Sequence, residues 1–308
     1  MRPQWKYCQL KQQRRSTQTK TQPDCSISNL HQRTIEGFGL EWQSFDQSEK
    51  ALDAVTRQKL FENYFRIFPW DTLPAKAEGL DFGCGSGRWA ALVAPRVGKL
   101  HVVDASVEAL NVARRNLSTL SNIEFHHSHA SALPMSDQSL DFAFSLGVLH
   151  HLPDTQRAIS DIATKLKPGA PFLIYLYYSF DNRPAWFRSI WSISNVMRSL
   201  ICRMPHILKL ATTTMLAALV YWPLATIARL LNTIGLPYSF LPLSFYRDKP
   251  FYVMRTDSYD RFSTSLEHRY SKIEIRKMMQ ESGLTDVQFS DNEPYWCAIG
   301  IKAEAKKS

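Results

Sequence analysis

Cysteine is sparse in this sequence. Cys8, Cys25, Cys84, Cys202 and Cys297 are the five in 308 residues, odd in number and never paired as CxxC. That spacing excludes a disulfide framework and a zinc-ribbon type of site, and it points to a reducing cytoplasm. No metal site is expected. The opening stretch MRPQWKYCQLKQQRR has no apolar core of the kind a secretory leader carries. No internal repeat is present. Wholesale disorder is excluded by a hydrophobic content of 44%.

Acidic residues are also in deficit, and the resulting net charge of +9 invites a nucleic-acid reading. Its distribution argues otherwise. Residues 1–34 hold seven Lys/Arg and one Asp, and residues 181–249 hold eight Lys/Arg and two Asp, a surplus of +6 in each. With +2 over residues 302–308, the remainder is mildly acidic. The basicity therefore sits in a tail and an insert, and a nucleic-acid partner is not expected.

Residues 1–34, rich in Gln, Thr, Ser and Lys/Arg, read as a disordered basic tail. Beyond it, helical periodicity over Ala51–Phe68 is followed by short apolar runs that alternate with helical ones. Gly79–Phe82, Leu100–Val103, Ile123–Phe125, Leu140–Ser145 and Pro171–Tyr177 read as strands. Arg88–Ala94, Val107–Leu117 and Thr155–Leu166 read as helices. The pattern breaks at Ser179 and resumes with helix Lys272–Ser282 and strands Thr285–Phe289 and Trp296–Ile301. This alternation predicts an α/β, Rossmann-like, doubly wound and mainly parallel sheet, with a helical lid inserted before the last helix and strands. The domain reading is 35–178 and 250–303 for the sheet domain and 179–249 for the lid.

The sharpest local signal is Gly79-Leu80-Asp81-Phe82-Gly83-Cys84-Gly85-Ser86-Gly87-Arg88, a strand that runs into a glycine turn and then a helix. Glycines let the backbone turn tightly and approach a ligand. An anion at Asp81 repels a pyrophosphate but suits a positively charged amino group. Strand Leu100–Val103 ends in Asp104, whose carboxylate can accept both hydroxyls of a ribose. The stretch Gly85–Ala90 by itself also fits a dinucleotide fingerprint.

DFGCGSG followed by VVDAS resembles the first two motifs of class I S-adenosylmethionine-dependent methyltransferases. The segment from His129-Ala130-Ser131-Ala132-Leu133-Pro134 to Asp141, and the strand that follows it to His150-His151, are similar to the corresponding parts of that family. Phe38-Gly39-Leu40-Glu41-Trp42 resembles an FGxEW segment that precedes the core in some members, where it would cover the cofactor. The resemblance implies S-adenosylmethionine as cofactor. Asp81 would hold its methionyl end, and the backbone of Phe82, Gly83, Cys84, Gly85 and Gly87 its carboxylate side. Asp104 and Ala105 would hold the ribose, His129 and Ala130 the adenine, and Leu146 would lie near the methionyl group. The family often has an acidic residue where this chain has His129.

The resemblance implies methyl transfer to a small-molecule acceptor. A non-catalytic S-adenosylmethionine-binding protein and an NAD(P)-dependent oxidoreductase are the alternatives. An oxygen or nitrogen nucleophile needs a general base near neutrality, and His150 or His151, past the fourth strand, is the candidate. Asp257, Asp260, His268 and Tyr270 are rivals. The run His126-His127-Ser128-His129 looks like a metal tract, yet alternation along a strand separates its side chains.

In the insert, Trp186, Ile190, Ile193, Met197, Leu200 and Met204 recur at helical spacing opposite Arg188, Ser192, Asn195, Ser199 and Arg203. Leu210–Ala228 carries no charge and has the length of a membrane span, but the flanking strands must share one sheet, which argues against a single crossing. Two readings stay open. One is a lid whose apolar faces pack on the sheet domain. The other is a lid that also makes peripheral membrane contact and takes a lipid- or glycan-linked acceptor. Arg255–Phe262, dense in charge and aromatics, reads either as a rim that meets the acceptor or as a solvated, salt-bridged loop.

Overall fold

Why this chain forms a parallel sheet is visible in its central strands, which are buried on both faces. In the computed structural model, which describes residues 25–45, 53–181 and 183–304, seven strands form one sheet in the order β3-β2-β1-β4-β5-β7-β6. They are β1 (Glu78–Phe82), β2 (Lys99–Asp104), β3 (Ile123–His127), β4 (Phe142–Leu146), β5 (Pro171–Tyr175), β6 (Leu284–Phe289) and β7 (Cys297–Lys302). β7 lies between β5 and β6 and runs antiparallel to both; the other pairings are parallel. From β1 the chain proceeds to β2 on one side and, later, to β4 on the other. This reversal opens a crevice above the carboxyl ends of β1 and β4, where α/β sheets bind ligands.

The helices are α1 (Cys25–Ser44), α2 (Ala54–Tyr64), α3 (Ala90–Val93), α4 (Val107–Asn116), α5 (Thr155–Lys165), α6 (Ala185–Ile201), α7 (His206–Leu216), α8 (Trp222–Thr233), α9 (Phe251–Ser263) and α10 (Lys272–Glu281). Their starts follow local chemistry. Ser106 caps α4 by accepting from the Ala109 N–H, Asp154 caps α5 from the Arg157 N–H, and Ser271 with Glu274 forms a capping box at α10. Two hydrophobic clusters fill the faces of the sheet, one around Leu80, Phe172 and Ile275, the other around Leu100, Phe142 and Phe144.

Three features differ from the sequence reading. Residues 25–34, assigned to the tail, lie in α1, while residues 1–24 are outside the described part. The expected helix Arg88–Ala94 starts two residues later, as α3, and passes into a 3₁₀ turn over Ala94–Arg96, where Pro95 has no amide to continue the α-helical ladder. Arg255–Phe262 is not a rim loop but the body of α9. α9 packs with the insert, in a cluster of Ile201, Ala217, Tyr221, Ala225, Met254 and Phe262.

The insert leaves and rejoins the sheet domain at one place. Tyr178 bridges Tyr270, the Ser179 amide donates to the Tyr270 carbonyl at 3.0 Å, and the Tyr270 amide donates to that of Tyr177 at 2.9 Å. Asp181 accepts from the Lys272 amide and from Trp296 Nε1, each at 3.1 Å.

Candidate active site

β1 delivers the chain to the glycine turn with Asp81 fully buried, and the turn folds back so that the amides of Gly83 and Cys84 donate to the Val103 carbonyl. Gly85 has φ +55°, a left-handed conformation costly for other residues. A methyl group there would also stand 2.6 Å from the Trp42 ring. The FGxEW segment thus lies in α1, pressed onto the loop. At the end of β2, Asp104 accepts from the Gly85 amide through Oδ2 and from the Ser106 amide through Oδ1, both at 2.9 Å.

These elements open into one cavity of about 1110 Å³. Phe82, Gly83, Cys84, Asp104, Ala105, His129, Ala130 and Leu146 line it, with Glu41 and Trp42 of α1. Asp81, Gly85 and Gly87 do not form its wall; they lie in the layer that shapes the loop. The remaining members of the His126–His129 run diverge. His126 Nε2 meets His101 Nδ1 at 2.9 Å, and His127 Nε2 donates to the Ala105 carbonyl at 2.9 Å. His101, Glu124 and His126 place ligand atoms within 4.8 Å of one another, but Lys99 Nζ already sits 2.7 Å from Glu124 and His101 Nε2 is 2.7 Å from Glu78.

His150 and His151 separate because they share a 3₁₀ turn, Leu149–His151, in which neighbours point about a third of a revolution apart. His151 lines the cavity and His150 does not. His150 is buried with both ring nitrogens unpartnered, stacked 3.9 Å from the Tyr177 ring, and burial pushes its pKa well below the usual range. The Nδ1 of His151 donates to the Leu266 carbonyl at 2.7 Å, which leaves Nε2 as the lone-pair nitrogen. Burial lowers its pKa to about 4, so the ring is neutral at physiological pH.

The groups the sequence reading missed are tyrosines, from β5, its exit and the turn Ser244–Asp248; on α9 they meet Asp257 and Asp260, which that reading named as rivals. Tyr175 and Tyr177, two apart on an extended segment, present to one side. Tyr177 donates its hydroxyl to Asp260 Oδ2 in a very short hydrogen bond. Asp260 Oδ1 is buried, unpartnered, and 3.8 Å from His151 Nε2. Tyr246 donates to Asp257 Oδ2 at 2.9 Å. Burial raises both acids to about 6; Arg88 opposes this at Asp257, and the Tyr177 hydrogen bond does so at Asp260. Burial, with Asp260 and Asp257 nearby, likewise raises Glu41 well above its usual value. Of the rivals, His268 and Tyr270 do not line the cavity; the Tyr270 hydroxyl donates to Thr155.

The donor set fits S-adenosylmethionine. Glu41 Oε2, on the wall, is buried and unpartnered, as is Asp81 Oδ2 in the layer behind it, an acidic setting that suits an ammonium and rejects a pyrophosphate. Each oxygen of Asp104 spends one lone pair on an amide and keeps capacity for a ribose hydroxyl. Residues 80–174 match the family model described as a methyltransferase domain. Those residues are a methyltransferase domain of the class I, S-adenosylmethionine-dependent kind. The chain is 25% identical, over 146 residues, to a demethylmenaquinone methyltransferase of Bacillus licheniformis, a match covering 46% of this chain and 62% of that protein. It is 36% identical over 101 residues to phosphoethanolamine N-methyltransferase 2 of Caenorhabditis elegans, covering 32% of this chain and 23% of that one. The chain thus spans less than two thirds of either relative. The solved YcgJ protein of Bacillus subtilis superposes with a TM-score of 0.48 at 16% identity, over 79% of this chain and 99% of that one. The methyltransferase domain match ends at residue 174, so Tyr175, Tyr177 and the whole insert lie beyond it.

Proposed function

We propose that the chain transfers the methyl group of S-adenosylmethionine to an oxygen or nitrogen of a small acceptor with an apolar body. The observation that carries this reading is one cavity shared by two sets of groups: the cofactor loop with Asp104, and the pair His151 and Asp260. When bound, the cofactor supplies an electrophilic methyl group on a sulfonium. The protein's part is to position and to manage a proton. Asp260, held by Tyr177, presents Oδ1 as the base. That oxygen would receive the proton that the acceptor gives up on methylation. Neutral His151 offers Nε2 as a second acceptor for the same proton and fixes the direction of approach. Tyr64 and Tyr175, stacked edge to face at 5.1 Å, and Leu146 keep water from the methyl group. Phe187, Trp191, Leu224 and Leu243 of the insert line the rest of the cavity and give the acceptor an apolar seat.

The test is incubation of the protein with methyl-labelled S-adenosylmethionine and fractionated small-molecule extracts. Label should appear in an organic product together with stoichiometric S-adenosylhomocysteine. Tight binding of the cofactor with no release of S-adenosylhomocysteine in any fraction would overturn methyl transfer and leave a binding protein.

A further inference from the structure

The apolar stripe of α6 does not pack on the sheet domain. Trp186, Ile190, Ile193, Met197 and Leu200 are between 38% and 66% exposed, and it is the other side of the helix, through Phe187, Trp191 and Ser194, that lines the cavity. The next helix repeats the arrangement. α7, a π-helical turn (Ala217–Tyr221) and α8 form one continuous helix, His206–Thr233, of mean hydropathy 1.5 over its most apolar window, only 22% of which is buried. Thr213, Ala217, Tyr221, Ala225 and Ala228 form its buried stripe. This stripe packs along its length against α9 and the turn Ser244–Asp248, and Ser258 Oγ donates to the Thr213 carbonyl at 3.0 Å. A helix fastened in this way lies on its own domain and does not cross a bilayer. Its opposite side carries Met215, Leu219, Trp222 and Leu230, between 57% and 69% exposed.

Exposed apolar surface on this scale calls for a partner. Its charge pattern selects one. Between Asp181 and Asp248 the chain has no acidic residue, while Arg188, Arg203, Lys209 and Arg229 flank the two stripes. Apolar side chains edged by cations, with no anion among them, match the acyl boundary and anionic headgroups of a phospholipid leaflet together. Ile190 and Val220, one from each helix, are exposed and also line the cavity, so the cavity mouth is continuous with this surface.

We propose that the outer faces of α6 and of His206–Thr233 dock on an anionic phospholipid bilayer, and that the acceptor enters from it past Ile190 and Val220. The entry route rests on the methyl-transfer reading; the docking does not. The experiment is flotation of the full chain with phosphatidylcholine vesicles prepared with and without phosphatidylglycerol. Binding should be at least about tenfold stronger to the anionic vesicles. It should fall to background in Leu219→Glu/Trp222→Glu and weaken in Ile193→Glu. These positions face water, and calorimetric binding of S-adenosylhomocysteine should be unchanged in each variant. Wild-type protein that floats with neither vesicle overturns the docking, as does a wild-type dimer that the same variants split into monomers. A chain that floats but binds no S-adenosylhomocysteine retains the docking and loses the methyl-transfer reading.

Discussion

The Nε2 of His151 and the Oδ1 of Asp260 stand 3.8 Å apart on the cavity wall, each buried and each without a hydrogen-bond partner. Buried polar atoms are rarely left this way outside functional sites. A single O–H or N–H placed between them would satisfy one and be steered by the other.

Asp260→Asn keeps the shape and the Tyr177 contact but removes the base. Turnover should fall by about 10²–10⁴-fold with S-adenosylhomocysteine affinity unchanged. In the wild type, kcat/KM should decline as pH falls below about 6, where Asp260 takes up a proton. A pH profile of the variant should lack that inflection, and a wild-type inflection that persists in it would assign the base elsewhere.

Asp104→Ala tests the cofactor contact. Losing a charged acceptor for the ribose, along with the brace to the Gly85 and Ser106 amides, should weaken S-adenosylhomocysteine binding by about 2–4 kcal/mol. Calorimetry at one pH suffices, with circular dichroism to verify the fold.

Gly85→Ala places a side chain at positive φ and against Trp42. Strain of about 1–2 kcal/mol should appear as a lower Tm and weaker cofactor binding. Adding Trp42→Ala should recover the part due to the clash but not the part due to φ. Full recovery in the double variant would show that φ contributes nothing.

Glu267 joins the insert's far end to its own helix. Its carboxylate accepts from Arg261 Nη1 at 2.8 and 2.9 Å and from Arg269 Nε at 2.8 Å, and it is almost wholly buried. Burial pushes its pKa up, but Arg269 and Arg261 more than offset that, and the net shift is downward. A depressed carboxylate stabilises the fold fully above its unfolded value of 4.5 and loses that contribution as pH falls through the folded value. Glu267→Gln should cost about 3–5 kcal/mol at pH 7 in urea unfolding. The gap to wild type should narrow in acid; a gap that is constant with pH would remove the charge from the explanation.

What could be seen in the sequence was what lies close together along the chain. The glycine loop, Asp104 at a strand end and the His129–Ala130 turn are contiguous motifs, and the structure brings Asp104, His129 and Ala130 to one wall. Tyr177 and Asp260 are 83 residues apart, and only the return of the insert unites them. α9 escaped notice because its buried side carries Thr256, Ser258 and Tyr259 among its apolar residues, which blurs the helical period. The stripe on α6 was plain, but periodicity reports that a helix has an apolar side without saying what that side faces. His150 and His151 were indistinguishable as neighbours until the 3₁₀ turn gave them different directions.

The bridge between Tyr178 and Tyr270 makes residues 179–269 a closed loop mounted on a fixed base. Loop length costs little once the ends are joined, about 0.6 kcal/mol for each doubling. The sheet register is set by β5 and β7, outside that loop. Asp104 and the glycine turn stand outside the loop and Asp260 inside it, so the two halves of the proposed site are carried by separately anchored stretches of chain.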